Sequence, residues 1–141
     1  MWNKFTDRAR QAVYYAQQEA AKQGVAEVST EHILLGLTVE SDHPAANMLG
    51  TLGVSNEKIR AAVQSRLKVH ATALARPTRL SREARFAIDF ALVESRGAGQ
   101  RHIGTNHLLM GLLHEGAGVA ANVLTECGVN VARARAAYPA S

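Results

Sequence analysis

The chain has 141 residues, 47% of them hydrophobic and 20% charged, a balance that excludes a disordered tail and leaves room for one domain or two very small ones. Aromatics make up 5% and there are three prolines, so the core must be mostly Ala, Val, Leu and Ile, the residues of closely packed helices. The net charge of +4 raises the question of nucleic acid. Residues 1–75 carry eight Lys/Arg against seven Asp/Glu and residues 76–141 eight against five. No basic run or set of stacking aromatics accompanies them, so neither DNA nor RNA is an expected partner.

In chain order, Thr6 caps a first helix whose apolar positions Ala9, Ala12, Val13, Ala16 and Ala20 recur at helical spacing, and Gly24 stops it. Thr30 is read as the cap of a second helix with Ile33, Leu34 and Leu37 on its apolar face. Pro44 opens a third helix that ends near Gly53, and Ser55 caps a fourth with Ile59, Ala62 and Val63 inward. The pattern then starts again: Thr30-Glu31-His32-Ile33-Leu34-Leu35-Gly36-Leu37 returns as Thr105-Asn106-His107-Leu108-Leu109-Met110-Gly111-Leu112, 75 residues on. Held without a gap, that offset aligns 6–63 with 81–138, with roughly a third of the pairs identical, the signature of an internal repeat.

Ser81, Thr105, Val119 and Asn130 therefore begin four equivalent helices, with Ala84, Ala87, Ile88, Ala91 and Leu92 on the inner face of the first. Gly36 and Gly111 lie inside helices, where glycine costs about 1 kcal/mol against alanine; the repeat keeps both, which predicts close helix contact, including contact across the repeats. The expected fold is all-α, two tandem four-helix repeats (about 4–66 and 80–138) packed with pseudo-twofold symmetry into one eight-helix domain over residues 1–141. The stretch at about 67–79, polar to basic and broken by Pro77, is too short for a free linker.

The opening Phe5-Thr6-Asp7-Arg8-Ala9-Arg10, the Thr30–Leu37 segment and Glu115-Gly116-Ala117-Gly118-Val119-Ala120-Ala121 together resemble the N-terminal double-repeat domain of the Clp ATPases, most nearly the ClpC branch. The resemblance covers nearly the whole chain. It implies a non-catalytic domain that docks substrates or adaptors of a Clp-type chaperone and protease system, with Clp ATPase or protease components, adaptors and protein substrates as partners. It also implies that an acidic residue in each Thr-Glu-His segment can hold a phosphorylated arginine: Glu31, beside Thr30 and Thr6, in the first copy. The second copy has Asn106 there, near Thr105 and Ser81. A carboxylate offers a guanidinium charge and two acceptors, whereas Asn offers one neutral acceptor, so the second site is the weaker. Trp2 and Phe5 are read either as a staple at the N-terminus or as part of a patch that contacts partners.

No Gly-Lys dipeptide occurs anywhere, so the chain contains no Gly-x-x-x-x-Gly-Lys phosphate loop. No enzyme activity and no cofactor are expected. The six histidines form no His-Glu-x-x-His or Cys/His quartet. His32 and His107 are read as structural, bonded to a carbonyl, and no metal is expected. Glu19 and Glu94 are read as solvated or paired with an Arg, and the lone Cys127 as a small buried side chain without an acid–base partner. With no apolar leader and no run of membrane-spanning length, the cytoplasm is the expected compartment and a membrane is not. The ending Ala136-Ala137-Tyr138-Pro139-Ala140-Ser141 reads as a natural terminus and favours a stand-alone protein; the alternative is the recruitment segment of a larger ClpC-like AAA+ unfoldase.

Overall fold

A computed structural model describes residues 2–68 and 79–138; most of the expected linker and the last three residues lie outside them. Eight α-helices are found among the described residues. They are α1 (Asp7–Gln23), α2 (Thr30–Leu37), α3 (Pro44–Thr51), α4 (Asn56–Gln64), α5 (Arg82–Gly97), α6 (Thr105–Glu115), α7 (Val119–Glu126) and α8 (Val131–Ala136). The sequence dictates most of their ends. Thr6, Ser55, Ser81 and Asn130 each accept a backbone N–H of the first turn, and Gly24 closes α1 in the left-handed conformation that glycine tolerates, at φ 81°.

Thr30 and Thr105 do not cap their helices, contrary to expectation. The caps are Ser29 and Gly104, and both threonines are first helical residues. The capping is done by the histidine at the third helical position: His32 Nδ1 accepts from Ser29 N–H and His107 Nδ1 from Gly104 N–H, each at 2.8 Å. Each ring thus accepts a backbone N–H, and of the two only His32 also bonds a carbonyl among the described residues, that of the Gln23 side chain. This capping frees the threonine hydroxyls to cap across the repeats. Thr105 Oγ1 accepts from Ala45 N–H at the start of α3, at 3.0 Å, and Thr30 Oγ1 accepts from Ala120 N–H at the start of α7, at 3.3 Å.

Two short backbone pairings repeat this exchange. Strand β1 (Glu27–Val28) runs parallel to β2 (Arg79–Leu80), and Phe5 forms the equivalent bridge to Ile103. Ser81 N–H donates to Val28 O and Thr6 N–H to Ile103 O, each at 2.9 Å. In each case the residues before the first helix of one repeat pair with those before the second helix of the other. Nothing in helical periodicity signals these strands.

The core is continuous through both repeats and built from small aliphatics, with Ala9, Ala16, Ala20, Leu34, Leu35, Ala84, Ala91, Leu109 and Met110 fully buried. Helix α2 packs on α7, and α3 on α6. The two helix-interior glycines act inside each repeat, correcting the expectation of a cross-repeat contact: a Cβ on Gly36 would lie 2.1 Å from Ala12 O, and one on Gly111 2.1 Å from Ala87 O. Glu19 and Glu94 are paired, the first with Arg60 at 3.0 Å and the second with Arg135, which ties each fourth helix to the first helix of its repeat. Cys127, expected to be buried, is half-buried at the end of α7.

Candidate functional site

The exchange between repeats decides which of the sequence-predicted residues meet. Thr6 does not join Glu31. It joins Asn106, Gly104 and Thr105 around an open cavity of about 750 Å³ at the N-terminus of α6. Ser81 lies with the first repeat's segment instead, its hydroxyl 2.9 Å from that of Ser29, two residues before Glu31. The physical reason is the pairing of Phe5 with Ile103 and of Leu80 with Val28, which carries each helix cap to the opposite repeat.

Glu31 is half-exposed on the first turn of α2, where the unsatisfied N–H groups of the helix favour a negative charge. No hydrogen bond or ion pair engages its carboxylate among the described residues. Thr30 and Thr105 are buried, at 0% and 1% exposure, with hydroxyls committed to the caps of α7 and α3. Thr105 also donates to His43 Nδ1 at 3.0 Å, because His43 Nε2 already donates to the carbonyls of Leu37 and Glu40. Both threonines are therefore parts of the framework behind the site.

Phe5 is likewise buried, at 2% exposure, and staples the N-terminus to Ile103. Only Trp2 stays outside, 39% exposed and edge-on to Phe5 with ring centroids 5.2 Å apart.

The two helix N-termini differ in charge. Arg8, Arg101 and His102 line the cavity at α6 with Asn106. The positions 75 residues away from Arg8, His102 and Asn106 are Glu83, Glu27 and Glu31. Arg8 is turned toward Glu40 and Asp42 and so is partly neutralised, whereas Arg101 has no ion-pair partner among the described residues.

Burial holds His32 and His107 below the ordinary imidazole value of 6.5, so both rings are neutral near pH 7. Behind the second site, Glu94 accepts from Arg135, His114 and Tyr138. The Arg135 hydrogen bond, chiefly, holds its carboxyl below the ordinary range, while burial pushes the Tyr138 phenol up to about 12.

Helix periodicity missed a further surface. Phe86, Phe90 and Val93 form an exposed apolar stripe along α5, at positions occupied in the first repeat by Gln11, Tyr15 and Gln18. Comparing the repeats outside their core positions is the signal that finds it. No group of His, Cys, Asp and Glu among the described residues is arranged to hold a metal ion, and no single described helix is long and apolar enough to cross a membrane.

The pattern of the Clp repeat (R) N-terminal domain matches residues 4–78 and again 79–139. The chain is 39% identical over 135 residues to the negative regulator of genetic competence ClpC/MecB of Bacillus subtilis (strain 168), covering 96% of this chain and 16% of that protein. It is 37% identical to the chaperone protein ClpB of Oceanobacillus iheyensis, of which it covers 17%. The chain thus spans about a sixth of the length of these curated relatives. Among solved structures, the N-terminal domain of the chaperone ClpD from Arabidopsis thaliana superimposes with a TM-score of 0.76 at 29% identity, over 97% of this chain and 93% of that one. A ClpV N-domain solved in complex with a VipB peptide shares the fold, with a TM-score of 0.75 at 17% identity over 92% of this chain and 81% of that one. With two full repeats matched in register over nearly all of its length, the chain belongs to the Clp repeat (R) N-terminal domain family.

Proposed function

We propose that the chain is a non-catalytic polypeptide-binding module of a Clp-type chaperone or protease system, docking substrates or adaptors. The observation that carries this reading is the family membership of both repeats, joined to a surface rich in unpartnered recognition features. These are the free carboxylate of Glu31 on α2, the open cavity at α6 and the apolar stripe of Phe86, Phe90 and Val93. The ClpV N-domain of the same fold holds a VipB peptide, which supports a peptide-docking reading. Within it, Glu31 is the residue suited to a guanidinium, including that of a phosphoarginine mark, with Ser81 at its side; Thr6 and Asn106 serve the other repeat, and Trp2 offers an exposed apolar contact.

The test is affinity capture with the immobilised chain from cytosol of its own host, followed by identification of the retained proteins. Enrichment of Clp ATPase subunits, adaptors or known protease substrates is expected; their absence overturns the proposal. A phosphoarginine peptide should lose affinity for the Glu31→Gln variant, by about tenfold for one charge-assisted bond. A second reading, that the chain is the recruitment segment of a larger ATP-driven unfoldase, is favoured by the sixth of each curated relative that it spans. The codons that follow Ser141 decide between them.

A further inference from the structure

The two repeats treat one histidine differently. In the first, His32 Nδ1 accepts from Ser29 N–H, and Nε2–H donates to Gln23 Oε1 at 2.6 Å, so both ring nitrogens are satisfied. In the second, His107 Nδ1 accepts from Gly104 N–H at 2.8 Å, which fixes the neutral ring with its hydrogen on Nε2. That Nε2–H has no partner, although the residue is only 3% exposed. The residue equivalent to Gln23 is Ala98. Ala98 leaves open the place that the Gln23 amide takes in the first repeat, and the Tyr138 ring stands edge-on to His107 beside it, with centroids 6.2 Å apart.

That space is part of the cavity of about 750 Å³ at the start of α6, which both Ala98 and His107 line. The same cavity collects donors. The cap of α6 is Gly104, which has no side chain to accept the first-turn amides. Asn106 sits on that first turn, and Arg101 stands at the wall without an ion-pair partner among the described residues. No carboxylate lines the cavity among the described residues, whereas the equivalent ring in the first repeat carries Glu27, Glu31 and Glu83. Symmetry has been broken in one direction, by exchanging acceptors for donors.

We propose that the cavity at α6 is a docking site for a carboxylate on a bound polypeptide, with His107 Nε2–H, the Asn106 amide and the Arg101 guanidinium as its donors. The inference rests on the reading of the chain as a polypeptide-binding domain, and it assigns the second repeat a ligand of opposite charge to the one suited to Glu31. A carboxylate oxygen reaching the place of the Gln23 amide supplies the acceptor that His107 lacks. A guanidinium at the same place would find only the neutral acceptors of Thr6 and Asn106, with no carboxylate among the described residues and with the Arg101 charge against it, so the site disfavours it.

The test uses the full chain, with long-range ¹H–¹⁵N spectra of the histidine rings and backbone amide spectra during titration. The probes are acetyl-Gly-Glu-Gly-amide, its Gln counterpart, acetyl-Gly-Gly-Gly with a free C-terminal carboxylate, and inorganic phosphate. Saturable shifts of His107 Nε2 and the Asn106 amide, with His32 unmoved, are expected from a carboxylate probe at millimolar concentration. The first and third probes separate a side-chain source from a chain terminus. Ala98→Gln should abolish the response by supplying the internal acceptor, and Arg101→Ala should weaken it roughly fivefold to tenfold. Should Ala98→Gln fail to fold, the exposed Arg101 variant carries the test. Equal shifts from the Gln peptide, a response to phosphate alone, no response, or binding that survives in a folded Ala98→Gln variant each overturn the inference. Capture of Clp components would persist in all these cases if only this inference were wrong, so the two failures are distinguishable.

Discussion

Replacing Gly36 by alanine puts the close crossing of α1 and α2 under load. In an exposed helix the change would stabilise by about 1 kcal/mol. Here the new Cβ would stand 2.1 Å from Ala12 O and 3.1 Å from both Ala12 C and Ala16 N. All three atoms belong to the α1 backbone, so no rotamer change relieves the overlap. Helix α1 has to retreat from α2 by about 1 Å, a gap that forfeits a quarter to a half of each dispersion contact along the seam. The seam is formed by Ala9, Ala12, Ala16 and Ala20, whose methyls have no freedom to refill it. Overpacking of this kind costs about 1–3 kcal/mol or somewhat more, which outweighs the propensity gain. A net loss of about 2–3 kcal/mol lowers Tm by roughly 10 °C in a domain of this size. Thermal and urea unfolding followed by far-ultraviolet circular dichroism measures it. Gly50→Ala is the internal control, because a Cβ there meets nothing within 4 Å and should raise Tm slightly. A Gly36→Ala protein that melts at or above the wild-type temperature refutes the close-approach argument.

Thr105→Val should destabilise by about 2 kcal/mol, since it strips the buried Ala45 N–H of its acceptor and leaves His43 Nδ1 with only the longer Ala46 N–H as donor. Thr30→Val, losing one longer bond of 3.3 Å, should cost less; urea midpoints that reverse this order would contradict the assignment of the cross-repeat caps. Burial depresses the pKa of His32 and His107 in the folded state, so the unfolded chain takes up protons first on acidification. Their contribution is complete above pH 6.5 and is lost as pH falls below it through the folded values, with a slope of up to about 1.4 kcal/mol per pH unit for each ring. Urea unfolding between pH 7.5 and 5 should show that slope, and it should shrink in His32→Gln; a wild-type curve that is flat over this range counts against neutral buried rings. Glu94, held down chiefly by its Arg135 hydrogen bond, adds a second loss only below its ordinary 4.5. Glu94→Gln should lower stability by about 1–2 kcal/mol at pH 7 and remove that acid phase when the titration is extended below pH 4.5.

The repeat, the eight helices and the caps at Thr6, Ser55, Ser81 and Asn130 were legible because each is a local or periodic signal. Apolar spacing, a polar residue before it and an unbroken 75-residue offset suffice for them. The importance of Gly36 and Gly111 was legible as well, because the repeat keeps a residue that costs helix stability. Which backbone they touch was not. Ala12 and Ala87 become neighbours of those glycines only when first and second helices cross.

Sequence alone thus determined the architecture and the residue types available to a ligand, since both follow from order along the chain. Tertiary structure decided how those residues are grouped. Two short pairings, Phe5 with Ile103 and Leu80 with Val28, leave no periodic trace, yet they hand each repeat's cap to the other. They put Thr6 beside Asn106 and Ser81 beside Ser29, and they turn Thr30 and Thr105 into buried cross-repeat caps. The orphan Nε2–H of His107 belongs to the same class. It exists because Ala98 is too short to reach a ring nine residues further along the chain, a fact of distance in space that no reading of neighbours in sequence contains.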